Sequence, residues 1–411
     1  MVKNLPEPFY LEVRNPCIVL APCWPGFSSG YEIAVYSSLL DLLRSHGHVH
    51  MIVICEREKD LPGDLKNLVE DGRLSFSKIR IRTQAKSVRF AKSVFTNVPA
   101  VCQQFNTAGV RDRVRKLFSR FVELVHDDVS LVVEDLPLAQ VLLSMPIPPG
   151  VKCTRLRSHN VLADCFIGFE SDGVLSRFLW RHENRRIRRF EEHALRQFDE
   201  VWAISEDDRE RYRVLYGVDA SVLPIRVPAC FFGDFPDVGR SSVCHELISI
   251  GTLDLRKQHG MQWFIDNVFA PLHQRHKQLT LTLIGRHTEK FKGLHEAVFC
   301  KGFVDDISQE ICPGQIFVNP QFRGSGVNLK SLFAMGSGFC LVCTPMGIQG
   351  IEAAHGVHCV VTPVAGQMQR EIESLVFDSS RRVKLARAGQ VFVRNNYCRL
   401  DSFESPRSDD V

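Results

Sequence analysis

The stretch Asn319–Gly338, NPQFRGSGVNLKSLFAMGSG, carries the residues of this chain best suited to holding an anion. It reads as a strand end, a glycine-rich loop and a helix that starts near Val327. Backbone N–H groups of Arg323, Gly324, Ser325 and Gly326 can approach a ligand closely. The helix start at Val327, Asn328 and Leu329 adds about half a positive charge, and Lys330 adds a full one. Together they suit a pyrophosphate. The competing reading is a tight strand-to-helix turn with a solvated lysine. A second stretch, Gly251–Gly260 (GTLDLRKQHG), also follows an apolar run and sets Arg256 and Lys257 on a loop or first helical turn. A cation there can face the same anion, or be one of a solvated basic pair. In the first half, His159 ends another apolar run, where it can hydrogen-bond a sugar hydroxyl or an acceptor, or sit as a satisfied loop histidine. The turn GFSSG, with Gly26, Ser28, Ser29 and Gly30, can line the acceptor side or close on phosphates. It lacks the GxGxxG pattern of a nicotinamide-cofactor loop.

These residues all fall where strands should end. Cys17–Leu20, Val49–Cys55, Ser130–Val133, Cys153–Leu156 and Glu200–Ile204 are short apolar runs separated by segments with helical spacing, such as Tyr31–Arg44. Ser205, followed by Glu206, Asp207 and Asp208, is a helix start with a hydroxyl cap and an acidic first turn. A second series follows: Leu247–Ile250, Leu279–Ile284, Val298–Cys300, Gln315–Val318, Phe339–Cys343 and His358–Val361. Two runs of alternating strand and helix predict an α/β chain of two Rossmann-like, doubly wound domains with parallel sheets. The aperiodic stretch Val227–Ser242 separates them. The expected division is 1–228, 243–395 and a tail at 396–411. Ligands of open α/β sheets bind beyond the carboxyl ends of the strands, so a cleft between the two domains is the expected pocket.

Bulk properties narrow the rest. A chain of 411 residues, 45% hydrophobic and 24% charged, is ordinary for a soluble enzyme of two domains. A net charge of +4 says little about partners, and sparse aromatics among the basic residues argue against nucleic acid. The 14 cysteines are scattered without the spacing of a small disulfide scaffold, which predicts reduced thiols in a cytoplasmic protein. Cys153, Cys300 and Cys343 read as small buried hydrophobes. The start MVKNLPEPFYLEV does not resemble a signal peptide, and no stretch approaches the ~18 apolar residues of a membrane span. Arg177–Arg189 (RFLWRHENRRIRR), Lys78–Lys92 and Arg111–Arg120 are basic. A first domain so loaded can rest on anionic lipid at the inner membrane face. The alternative is a solvated helix face paired with Glu183, Glu191 and Glu192. Asp305-Asp306 reads as a turn, so no metal pair is expected.

The motifs together resemble the GT-B glycosyltransferases of the group 1, or family 4, type, over most of the second half and parts of the first. ISIGTLDLRK resembles the family's opening strand, glycine and basic loop, with Lys257 in the place of its phosphate-binding lysine. The family arginine after the glycine is Thr252 here, and Arg256 can substitute. MQWFIDNVFAPL resembles the next helix, LTLIGR the next strand and glycine, ending at Arg286. KGFVDDIS is similar to the loop whose backbone contacts the base, at Val304. GSGVNLKSLFAMGSGFCLVCTPMGIQG corresponds to the family's glycine-rich loop, lysine and helix. Two family glutamates are replaced, by Ser325 and Phe333. In the first half, RLRSHN and RRFEEHALRQFDEVWAISEDD resemble the family's cleft-facing His loop and the passage before its linker.

The resemblance implies a glycosyltransferase that moves a sugar from a nucleotide-diphosphate donor to a carbohydrate, lipid-linked or protein acceptor, in glycan or glycolipid assembly. It implies a retaining outcome without metal or cofactor. Lys257, Lys330 and His159 are the expected catalytic residues. A nucleotide-sugar epimerase on the same fold and a non-catalytic partner subunit are the alternatives; Phe333 and Thr252 favour the latter, and the two lysines oppose it.

Overall fold

The computed structural model describes residues 15–82, 84–96, 98–125, 127–165, 174–232, 244–253, 255–304, 307, 312 and 314–399. They divide into two compact units, with the break between Ile225 and Arg226.

The first unit contains strands β1 (Cys17–Ala21), β2 (Val49–Cys55), β3 (Leu74–Arg80), β4 (Val129–Glu134), β5 (Val151–Arg157), β6 (Glu200–Ala203) and β7 (Ser221–Val222). They form one parallel sheet in the order β3-β2-β1-β4-β5-β6-β7. Its helices are α1 (Gly30–Ser45), α2 (Gly63–Glu70), α3 (Lys86–Phe95), α4 (Ala108–Leu124), α5 (Leu136–Leu143), α6 (Leu162–Cys165), α7 (Val174–Gln197) and α8 (Glu206–Tyr216). Central strands β1 and β4 are buried at every residue, as a parallel sheet covered on both faces requires. The period of two sorts their side chains. Ile18 and Leu20 join a core with Val110, Val114, Phe118 and Phe121 of α4, spaced as one helical stripe. Cys17, Val19 and Ala21 join the opposite core with Val35, Leu39 and Leu42 of α1.

The second unit repeats the plan. A two-residue pair, β8 (Val227–Pro228) with β15 (Cys398–Arg399), accompanies a six-stranded parallel sheet. That sheet comprises β9 (Glu246–Ile250), β10 (Thr280–Ile284), β11 (Val298–Gly302), β12 (Ile316–Asn319), β13 (Cys340–Cys343) and β14 (Val360–Val361). Its order is β11-β10-β9-β12-β13-β14. The helices are α9 (Leu255–Phe264), α10 (Ala270–Arg275), α11 (Leu329–Gly336), α12 (Ala365–Phe377) and α13 (Ser379–Tyr397). Between α9 and α10, Ile265–Phe269 is a single π-helical turn just before Pro271. In each sheet the order reverses once, between β1 and β4 and between β9 and β12. Loops leaving the carboxyl ends of those strand pairs flank a crevice, the general ligand site of such folds.

Several expectations shift. Strand β3 has no clear apolar run in LSFSKIR and was not anticipated; β2 alone flanks it. The helix after the glycine-rich loop begins at Leu329, with Asn328 as its cap position, rather than near Val327. Ser205 caps α8 through the Asp208 N–H as expected. Of the region read as a linker, Val227-Pro228 is paired in β8 and residues 233–243 lie outside the described residues. Of the region read as a tail, Asn396 and Tyr397 close α13, Cys398-Arg399 form β15, and 400–411 lie outside. Cys343 is buried, but Cys153 and Cys300 are only half-buried, because the start of β5 is partly open and β11 is a sheet edge. Burial still pushes all three thiols up, away from the reactive thiolate.

Candidate active site

In the second unit, the loops after β9 and β12 meet at the point where the strand order reverses. Gly251 ends β9 with φ 116°, in the left-handed region. The Lys330 side chain crosses directly over it: a Cβ on Gly251 would lie 2.6 Å from Lys330 Cε and 3.2 Å from Nζ. The two segments that the sequence set toward one anion therefore meet, at Gly251 and Lys330. The loops after the next strands are tied in as well. Gly251 N–H donates to Ile284 O at 2.8 Å, Leu253 N–H to Arg286 O at 3.0 Å, and Gly285 N–H to Gly302 O at 2.6 Å. Thr252 is exposed beside this ladder, and Val304 is half-buried at its end.

Lys257 stands in the first turn of α9 and is half-buried. One turn later on the same side, Gly260 meets the chain just after β12. A Cβ there would fall 1.9 Å from Pro320 O, so only glycine permits this approach. Trp263, a further turn along, packs edge-on against Phe322 with ring centroids 4.7 Å apart. The face of α9 that bears Lys257 is thus the face laid against the start of the glycine-rich loop. The Arg256 side chain lies outside the described residues.

A buried polar knot holds the loop itself. Asn319 Nδ2, at the end of β12, donates to Asn328 Oδ1 at 3.1 Å, Ser331 Oγ at 2.9 Å and Gly347 O at 3.2 Å. Asn328 Nδ2 donates to Gln321 Oε1 and Met346 O, both at 3.3 Å, so Asn328 makes no side-chain cap on α11. Thr344 Oγ1 donates to Gln321 O. The turn Thr344–Gly350 lies directly under the loop: Cβ atoms at Gly347 and Gly350 would press on Asn319 O at 2.5 Å and on Val327 Cα at 2.9 Å. Above the knot, Arg323 is exposed, Gly324 and Ser325 are half-buried, and Gly326 is buried. Phe333 is half-buried on α11. Two residues not anticipated together stand at the adjacent strand ends: the Phe303 ring is 65% exposed, and the Arg286 guanidinium lies 5.4 Å from its centroid.

In the first unit, His159 is 4% exposed and belongs to a buried charge cluster that sequence reading missed. Its Nε2 lies 2.7 Å from Glu134 Oε2, and Arg157 Nη1 lies 3.4 Å from the same oxygen. Both Glu134 and Arg157 are fully buried, and they are register partners across β4 and β5. Burial raises the Glu134 carboxyl, but Arg157 and His159 outweigh it and hold it below the usual range. Neighbouring Asp135 is pushed up, by burial first. It caps α5 by accepting from Leu136 N–H, and its φ of 80° is an unusual backbone for a non-glycine residue. Among the described residues, His159 Nδ1, Glu134 Oε1 and Arg157 Nε have no hydrogen-bond partner.

The GFSSG turn is a capped helix start. Ser29 caps α1 by accepting from Glu32 N–H, while the Glu32 carboxylate accepts from Ser28 N–H at 3.1 Å. Glu32 is paired with Lys59 at 2.5 Å, and a Cβ on Gly26 would sit 3.1 Å from its Oε2. Gly30 begins α1, whose Tyr31 ring lies 5.8 Å from that of His159. The first-unit loop and His159 are therefore neighbours.

One surface reading changes. Of the glutamates expected to neutralise Arg177–Arg189, Glu183 and Glu191 point inward and only Glu192 is exposed. Asp305-Asp306 lies outside the described residues. Among the described residues, no helix is long and apolar enough to cross a membrane.

Comparison with known proteins places this geometry. Residues 244–378 match the family model described as "Glycosyl transferases group 1". No curated protein matches the chain by sequence. Among solved structures, HepE from Anabaena in complex with UDP and glucose superposes with a TM-score of 0.59 at 15% identity, over 93% of this chain and 95% of that one. Sucrose-phosphate synthase from Thermosynechococcus elongatus gives 0.62 at 13%, over 94% and 95%. The trehalose 6-phosphate synthase of Burkholderia multivorans gives 0.56 at 14%, over 93% and 95%. The chain thus has the GT-B fold, and residues 244–378 of its second unit are similar to the group 1 glycosyltransferases.

Proposed function

We propose that the protein transfers a sugar from a nucleotide-diphosphate donor to an acceptor, and that the crevice between β9 and β12 holds the diphosphate. The observation that carries this is the crossing of Lys330 over Gly251, which puts a cation and the start of α11 at one point beyond the sheet. As the bond from the anomeric carbon to the diphosphate oxygen breaks, negative charge gathers on the leaving phosphate and positive charge on the sugar. Lys330, Lys257 and the loop Arg323–Leu329 stabilise the phosphate charge without a metal. Donors held in place before the reaction need no rearrangement as that charge develops, so they lower the barrier more than mobile water can. Gly251 and Thr252 border the phosphates. Arg286, Phe303 and Val304 form the nucleoside side, with the exposed ring offering a face for the base. His159, held by Glu134, orients the sugar in a retaining reaction, and the turn Gly26–Gly30 lines the acceptor side. The acceptor is a carbohydrate, lipid-linked or protein hydroxyl in glycan or glycolipid assembly. The reading includes a cytoplasmic enzyme in peripheral contact with the membrane.

The similarity of HepE, solved with UDP and with UDP-glucose, supports a nucleotide-sugar donor. A thermal-shift screen of UDP-, GDP- and ADP-sugars tests the reading, since a ligand present at 100 times its Kd stabilises by about 2.7 kcal/mol. The expected result is a shift with one nucleotide class, lost in Lys330→Ala. No shift with any class would overturn the proposal.

A further inference from the structure

The carboxyl end of the first sheet gathers positive charge that the transfer reaction leaves unused. Strands β2 and β3 end in register, Cys55 beside Arg80, and Ile81 N–H donates to Cys55 O at 3.0 Å. The two chains therefore leave the sheet side by side, as Glu56-Arg57 and Ile81-Arg82. Together with Arg80, these residues line one cavity of about 490 Å³. Arg80 and Arg82 belong to the basic stretch Lys78–Lys92, while Arg57 lies outside it. Strand pairing alone brings the three together.

The lysines nearby are already engaged. Lys59 pairs with Glu32 at 2.5 Å, and Lys78 pairs with Glu58. Among the described residues, the side chains of Arg57, Arg80 and Arg82 enter no ion pair, and all three residues are exposed. Glu56 is the one acid among the described residues that line the cavity, so the lining carries an excess of two positive charges. Guanidinium groups drawn to one place repel one another, and a bound anion reverses that cost.

The count of charges selects the anion. A carboxylate brings one charge and two oxygens, which a single guanidinium satisfies in a bidentate pair. A phosphoryl group brings about −1.5 to −2 charges and three acceptor oxygens at neutral pH, which matches the excess in this cavity. The cavity also lies at the end of the sheet where parallel α/β folds bind ligands. Lys59, two residues after Arg57, ties that loop to the Gly26–Gly30 turn, because the Glu32 carboxylate accepts from both Lys59 Nζ and Ser28 N–H. We infer that Arg57, Arg80 and Arg82 form a phosphate subsite beside this turn, and that the acceptor of the sugar carries a phosphoryl group. The inference rests on the reading of Gly26–Gly30 as the acceptor side.

The test is calorimetric titration of the full chain with glycerol 3-phosphate, glycerate and glycerol, which carry a phosphate, a carboxylate and no charge. Glycerol 3-phosphate is expected to bind at least ~10-fold more tightly than glycerate, and glycerol not to bind. Arg57→Ala and Arg82→Ala should each weaken it about 10-fold, the scale of one hydrogen bond to a charged group. Lys330→Ala should leave it unchanged, since that lysine belongs to the second unit. Unchanged melting temperature and unchanged nucleotide-sugar stabilisation establish that the arginine variants fold. Displacement of the probe by phosphatidic acid vesicles marks a lipid-borne phosphate and its absence a soluble one; both outcomes support the subsite. No binding of glycerol 3-phosphate, equal binding of glycerate, or undiminished binding in the folded arginine variants would overturn the inference. So would binding lost in Lys330→Ala alone. A wild type that no nucleotide sugar stabilises, but that still binds phosphate through these arginines, would instead overturn the transferase reading and leave the subsite standing.

Discussion

Alanine at position 251 would displace Lys330 while leaving its charge intact. The new Cβ would stand 2.6 Å from Lys330 Cε where ordinary contact begins at 3.4 Å, so the lysine must retreat by about 0.8 Å (3.4 − 2.6). Misplacing a catalytic group by about 1 Å costs on the order of 100-fold in rate. The φ of 116° adds backbone strain of about 1–3 kcal/mol, which lowers the melting temperature but does not by itself change kcat. The assay is kcat/KM for hydrolysis or transfer of the nucleotide sugar found by thermal shift, run well below the melting point of every variant. Gly251→Ala should lose about 100-fold, and Lys330→Ala at least ~100-fold. The double variant should be no worse than Lys330→Ala, because the glycine acts only through the lysine. Losses that multiply in the double variant, or near-normal turnover in either single variant, would refute this account of the phosphate site.

Further outcomes follow from the same geometry. Glu134→Ala leaves Arg157 buried without its counter-ion and should cost about 3–5 kcal/mol in urea unfolding. Phe303→Ala should weaken nucleotide binding about 10-fold by calorimetry, the scale of one lost stacking contact. Glu191 gives a pH dependence of known sign. Burial pushes its carboxyl up to about 7, against the donors Tyr216 O–H, Ala163 N–H and Leu162 N–H. The folded state then holds the proton more tightly than the unfolded chain. Its stabilising share is complete below about pH 4.5 and declines as pH rises through about 7, by about 3 kcal/mol in all. Comparing the pH profiles of unfolding for wild type and Glu191→Gln isolates it; parallel profiles would count against it.

How much of this could be read without coordinates depended on how local each signal was. The central strands were legible because burial on both faces writes continuous apolar runs such as CIVL and SLVV. β3 was not, since its alternating LSFSKIR has one open face and looks like a loop. The glycine-rich loop and Lys330 were legible from their spacing. The reason the turn Thr344–Gly350 accompanies them was not, because Gly347 and Gly350 matter through their close approach to Asn319 and Val327, which only the folded chain brings above them. The buried partners of His159 were hidden for a like reason. Glu134 and Arg157 are 23 residues apart in the chain and meet only because β4 and β5 are adjacent in register.

What the amino-acid order settled unaided is the alternation of strand and helix and the places where loops must leave the sheet, since both are written in local periodicity and in glycine. What only the folded chain decided is which loops share a crevice and which charges face inward. Gly251 and Lys330, and Ser93 and Glu183, are brought together by strand order and helix packing. Those are long-range pairings that no window of sequence contains.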